Sequence, residues 1–120
     1  MRVALGLALS AMAVASNVGA YDGPPWYKVP ATSAQIEFAK EHASYDLLDP
    51  ASAQLRKVYA ISRGLGDDTV CGEINAKNSF GAYTGFRAFY VDSDGAYVIS
   101  DPDSPLADFP RMICDKPPKP

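Results

Sequence analysis

Between Ser33 and Leu47 the apolar residues Ile36, Ala39, Ala43 and Leu47 recur at three- and four-residue intervals. That spacing lines one face of an α-helix. Thr32 and Ser33 carry hydroxyls suited to capping its N-terminus, and Glu37 and Glu41 follow early in the run. Phe38, His42 and Tyr45 make a neighbouring stripe on the same helix. Asp49-Pro50 stops it, and a short turn is predicted over 50–56. From Lys57 the period falls to two. Val58, Ala60 and Ser62 alternate with Tyr59, Ile61 and Arg63, which predicts a strand. Gly64 to Asp68 has turn composition, and a second strand is predicted over Thr69 to Lys77, so the two form a hairpin. Asn78 to Tyr83 reads as a loop and Thr84 to Val91 as an aromatic-rich third strand. Asp92-Ser93-Asp94-Gly95 turns the chain into a fourth strand, Ala96 to Ser100. Beyond Asp101 the prolines at 102, 105 and 110 interrupt regular structure. Met112 to Cys114 is either a short edge strand or a segment pinned by a disulfide.

The pattern predicts an α+β domain over residues 32–115: one N-terminal amphipathic helix packed on a small antiparallel meander of about four strands. Residues 21–31, rich in proline, are expected to form an extended arm, and residues 116–120 a disordered tail. One helix covers one face of a sheet. The second face is left to solvent, to the arm and tail, or to a ligand.

The first twenty residues change the picture of where the protein works. Met1-Arg2 is a short positive start, Val3 to Ala15 is apolar and small, and Val18-Gly19-Ala20 ends the stretch. This is the order of a secretory signal peptide, with cleavage expected after Ala20. No later stretch is apolar for the length a membrane-spanning helix needs, so no membrane insertion is expected once the leader is removed. Losing Arg2 leaves ten basic residues against fourteen acidic ones, a net charge of −4. The basic residues are scattered along the chain, which argues against nucleic acid as a partner. Cys71 and Cys114 are the two cysteines. In an oxidising compartment a lone pair reads as one disulfide. A metal pair would want further ligands at short spacing, and His42 is the single histidine, so no metal or cofactor is expected.

The most pointed polar pattern lies on the second predicted strand. At period two, Cys71, Glu73, Asn75 and Lys77 share one face, and Gly72, Ile74 and Ala76 the other. Glu73 could accept a proton or a hydrogen bond and Lys77 could supply a cation; a solvent-facing row of partly paired charges is the plainer alternative. The run VCGEINAKNSFGAYTGFRAF (Val70 to Phe89), preceded by DPASAQLR (Asp49 to Arg56), resembles a signature of small exported bacterial proteins of uncharacterised function. The resemblance spans residues 49–114. It departs at Ala82, where a second glycine is expected, and at Leu55, where phenylalanine is. It implies no activity, but it groups Gly72, Glu73, Asn75, Lys77, Asn78, Gly81, Tyr83, Gly85 and Phe86 as one unit. Asn78 tolerates left-handed backbone angles, Gly81 and Gly85 permit a tight return, and Tyr83 and Phe86 supply aromatic area. Such a corner is either a purely structural β-loop-β turn or a contact surface.

Glu73, Asn75, Lys77, Asn78, Tyr83 and Phe86 are therefore the candidate binding residues. His42 reads as a packing residue beside Phe38 and Tyr45. The aspartates at 92, 94, 101 and 103 read as turn formers, because the spacing of a calcium loop is missing. No catalytic set is assembled in the sequence. The expected function is a non-enzymatic exported module that binds a protein or envelope partner. A small periplasmic hydrolase using Glu73 and Lys77, with His42 as a further member, and a structural envelope component are the alternatives.

Overall fold

The computed structural model describes residues 23–120, so the expected signal peptide and its expected cleavage after Ala20 lie outside the described residues. The capping reading of Thr32 holds. The Gln35 N–H donates to Thr32 Oγ1 at 3.1 Å, and the Thr32 N–H donates back to Gln35 Oε1 at 2.9 Å. The helix that follows, α1 (Ser33–Ser44), stops three residues before the expected Leu47. There the Leu47 N–H closes a tighter turn on the Ser44 carbonyl, which lets Leu47 fold against the core beside Ala39 and Ala43. Asp49-Pro50 opens one turn of 3-10 helix, Pro50–Ser52.

The antiparallel sheet has five strands where about four were expected: β1 (Tyr27–Pro30), β2 (Gln54–Ser62), β3 (Thr69–Asn75), β4 (Arg87–Val91) and β5 (Tyr97–Ile99), adjacent in chain order. The additional strand comes from the segment read as an arm. Tyr27 and Val29 turn inward while Lys28 and Pro30 are exposed. Proline is tolerated there because β1 pairs only with β2 inside the sheet. The other side of β1 meets the chain's end. Lys28 N–H donates to the Pro117 carbonyl at 2.8 Å, and Lys119 N–H donates to the Lys28 carbonyl at 3.2 Å. Residues 116–120, expected as a disordered tail, thus run along an edge that would otherwise offer free backbone groups.

Strand β2 begins at Gln54, earlier than expected, because a bulge hides its first part from a period-two reading. Arg56 pairs with Glu73 and Tyr59 with Cys71, so Lys57 and Val58 both stand opposite Gly72. Lys57 takes the left-handed angle of the bulge, φ 53°. The added residue puts Leu55 and Val58, three apart, on one face of the sheet. At its other end the third predicted strand shortens to β4, because Gly85 leaves the strand at φ 107°.

Among the described residues two α-helices, one on each face of the sheet, replace the single expected helix. Val70, Ile74, Phe89 and Val91 face α1 and bury Ala39 and Ala43. On the opposite face Ile61, Cys71 and Tyr90 receive α2 (Phe109–Cys114), which takes the place of an edge strand at Met112 to Cys114 and is pinned there by the disulfide. Pro110 lies in its first turn, where a missing N–H costs nothing. The Cys71–Cys114 disulfide joins α2 to the central strand across a Cα–Cα distance of 6.1 Å.

The hairpin turn between β4 and β5 shows why one glycine is required. Gly95 has φ 89°, and a Cβ there would lie 2.6 Å from His42 Cδ2. Gly95→Ala is expected to cost about 1–2 kcal/mol from the backbone angle, and more from the displaced imidazole. Urea unfolding of the variant, with the His42 ring resonances followed by NMR, tests this. An unchanged midpoint would show that the turn relaxes freely.

Candidate functional site

The residues grouped by the sequence divide into those that build the corner and those that border open surface. Asn75 is buried, and its Oδ1 accepts from the Gly85 N–H at 3.0 Å, tying the end of β3 to the start of the returning chain. Asn78 Oδ1 accepts from the Phe80 and Ala82 N–H groups at 2.9 and 3.2 Å, and its own N–H donates to the Ala82 carbonyl. Gly81 completes that tight loop at φ 79°. Tyr83 OH donates to the Ser52 carbonyl at 3.1 Å, while Ser52 Oγ accepts from the Lys77 N–H at 2.9 Å. Asn75, Asn78 and Tyr83 therefore have structural work, chiefly satisfying backbone groups of the corner.

Of the expected row of Glu73, Asn75 and Lys77, only Glu73 and Asn75 lie within β3. Regular pairing in β3 ends at Asn75, and Lys77 lies past it in an isolated antiparallel bridge with Tyr83. Glu73 points to the α2 side. There Arg56 Nε donates to Glu73 Oε1 at 2.9 Å, Lys57 Nζ stands 3.7 Å from the same oxygen, and the Arg56 guanidinium lies 3.8 Å from the Phe86 ring centroid. Phe86 thus serves as a platform for Arg56. Lys77 instead lines a cleft on the α1 side of the sheet.

That cleft, of about 260 Å³, lies between the segment after α1 (Asp46, Leu47, Leu48) and the end of the sheet. Ile74, Ala76 and Ile99 give it an apolar floor, and Lys77 and Arg87 both line it. Among the described residues neither cation is in an ion pair. Lys77 Nζ lies 5.6 Å from the Tyr83 ring centroid. Asp46 also borders the cleft, but its Oδ2 accepts a hydrogen bond from Tyr97 OH. That bond, together with burial, raises the Tyr97 phenol above its ordinary range, so Tyr97 stays a neutral donor. Arg87 was missed because, without the strand register, nothing in the sequence brings it beside Lys77.

His42 belongs to a different neighbourhood. Its Nδ1 is 2.9 Å from the Phe38 carbonyl, its ring stacks on Phe38 with centroids 4.1 Å apart, and Gly95 abuts it. It sits on the α1 side of the sheet and Glu73 on the other, so the two do not meet. No group of three or more His, Cys, Asp or Glu residues able to hold a metal ion occurs among the described residues. None of the helices described is long and apolar enough to cross a membrane.

Comparison with family models, with curated proteins and with solved structures finds no match.

Proposed function

We propose that the protein is an exported, non-catalytic binding module that takes an anionic group attached to a short apolar body, carried by a protein or envelope partner. The observation that carries this reading is the α1-side cleft. Lys77 and Arg87 line it with no carboxylate partner among the described residues, above a floor of Ile74 and Ile99. Unpaired cations over apolar surface favour a ligand that brings both a negative charge and hydrocarbon, because each feature then offsets the desolvation of the other. The separation of Glu73 from His42 supports binding over hydrolysis. The leader-like N-terminus and the disulfide support export.

Hexanoate is a suitable probe, with hexanamide as its uncharged control. NMR titration of the oxidised protein should move the resonances of Ile74, Ile99 and the Arg87 guanidinium with hexanoate and leave them in place with hexanamide. Lys77→Gln and Arg87→Gln should each weaken hexanoate binding about tenfold, the loss of one charge-assisted hydrogen bond. Equal binding of hexanamide, or shifts confined to other surfaces, would overturn the proposal.

A further inference from the structure

The second face of the sheet carries a feature that the α1-side cleft does not explain. Two adjoining clefts, of about 310 and 300 Å³, share Tyr59, Arg111 and Cys114 and so form one groove between α2 and the bulged part of β2. Lys57 and Glu73 stand at one end, Arg111 at the middle, and Lys28, Lys116 and Asp115 at the other. Arg56 adds a cation at Glu73. Among the described residues four cations, Lys28, Lys57, Arg111 and Lys116, therefore line the groove against two carboxylates, one of which, Glu73, is already paired with Arg56 and Lys57, on a chain whose formal net charge is −3. Such local reversal of charge raises the concentration of anions beside it.

The groove is built rather than incidental. Tyr59 forms its floor, with OH donating to the Cys114 carbonyl at 3.2 Å and Lys28 Nζ 4.2 Å from its ring centroid. Burial, and then the negative charge of Asp115, raise the Tyr59 phenol, so it remains a neutral donor. The disulfide fixes α2 as one wall, and the bulge at Lys57 turns the other.

We infer that this groove binds an extended acidic polysaccharide, whose carboxylates meet Lys57, Arg111 and Lys116 and whose hydroxyls meet Glu73 and Asp115. The two carboxylates decide the class. A nucleic acid offers an unbroken line of phosphates, which Glu73 and Asp115 repel, whereas a sugar chain offers hydroxyl donors between its charges. An anionic membrane fits less well. At about 3.6 residues per turn, Arg111 lies on one flank of the buried Pro110–Cys114 stripe, while the exposed Phe109 and Ile113 lie on the other, away from the groove.

The test is calorimetric and NMR titration of the oxidised protein with oligogalacturonate, beside a single-stranded oligonucleotide of matched charge and phosphatidylglycerol vesicles. Oligogalacturonate should bind tightest, weaken with added salt, and shift Lys57, Tyr59 and Arg111. Lys57→Asn, Arg111→Gln and Lys116→Gln together should cut its affinity about tenfold, the sum of three exposed charge contacts. Asparagine keeps the left-handed angle available at residue 57. Arg111→Gln alone, at an exposed position, should lose about threefold and covers the case in which the triple variant folds poorly. Lys40→Gln, on α1, should change nothing. Tighter binding of the oligonucleotide or the vesicles, no oligogalacturonate binding at low salt, or an equal loss in Lys40→Gln would overturn the inference.

Discussion

Replacing Cys71 and Cys114 together by alanine, or reducing their bridge, should lower the unfolding free energy by about 2–4 kcal/mol. The bridge closes a sequence separation of 43 residues, and the chain-entropy account puts the upper end of that range at about 4 kcal/mol for such a loop. It also has a local task. Of the six residues of α2 only Pro110 and Cys114 are buried, so packing alone gives the helix little hold on the sheet. Without the bridge, α2 should leave the second face and uncover Tyr59, Ile61 and Tyr90. Urea unfolding of oxidised and reduced protein measures the first effect. A spectrophotometric titration reads the second, because the Tyr59 phenol, raised by burial, should fall back toward its ordinary range once α2 departs. A reduced protein with the same midpoint and the same tyrosine titration would show that α2 docks without the bridge. The second-face groove loses one wall in the same step, so oligogalacturonate binding should depend on oxidation.

What the sequence displays and what it conceals follow one physical division. Features carried by neighbours in the chain are legible: the Thr32 cap, the helical spacing of Ala39 and Ala43, and the turn at Asp92 to Gly95; the Cys71–Cys114 bridge is legible for another reason, that the chain has two cysteines and so one possible pairing. Features made by register are not. The bulge at Lys57 shifts the phase of β2, so Arg56 joins Glu73 on the second face although a period-two reading places it in a turn. The end of β3 is likewise a matter of register: Asn75 bonds to Gly85 ten residues away, and Lys77 beyond it bridges to Tyr83. The scattered basic residues are a sharper case. Lys28, Lys57, Arg111 and Lys116 look unrelated along the chain, and their gathering depends on β1 pairing with β2 and on the disulfide. A low local density of charge in sequence therefore carries no weight against a charged groove in space. Pro-rich segments mislead for a related reason: the arm reads as extended but unpaired and the tail as disordered, yet proline is what an edge strand tolerates.

Phe89→Ala should cost about 3–5 kcal/mol, a large share of the about 5–15 kcal/mol available to a domain of this size. Phe89 is fully buried on the α1 side of β4, paired with Gly72 on β3 and Ile99 on β5. Its ring occupies the space that Gly72 leaves: a Cβ built on Gly72 would lie 3.1 Å from Phe89 Cε1, 3.1 Å from Val58 Cγ2 and 3.2 Å from the Arg56 carbonyl. The glycine and the phenylalanine form one packing unit across the bulge, with the ring covering backbone that a smaller residue would expose. Truncation removes the ring at the one place where the opposing strand has no side chain to collapse inward, so the cavity should persist and the cost should fall at the upper part of that range. Phe89→Leu keeps most of the volume and should cost under about 1.5 kcal/mol. Urea unfolding of both variants in the oxidised state isolates packing from the disulfide. A loss below about 1.5 kcal/mol for alanine would mean that α1 settles onto Gly72 and fills the gap. The same movement would disturb Leu47 and Ile99 beside the Lys77–Arg87 cleft, so hexanoate affinity in Phe89→Ala reports whether core and cleft are one mechanical unit.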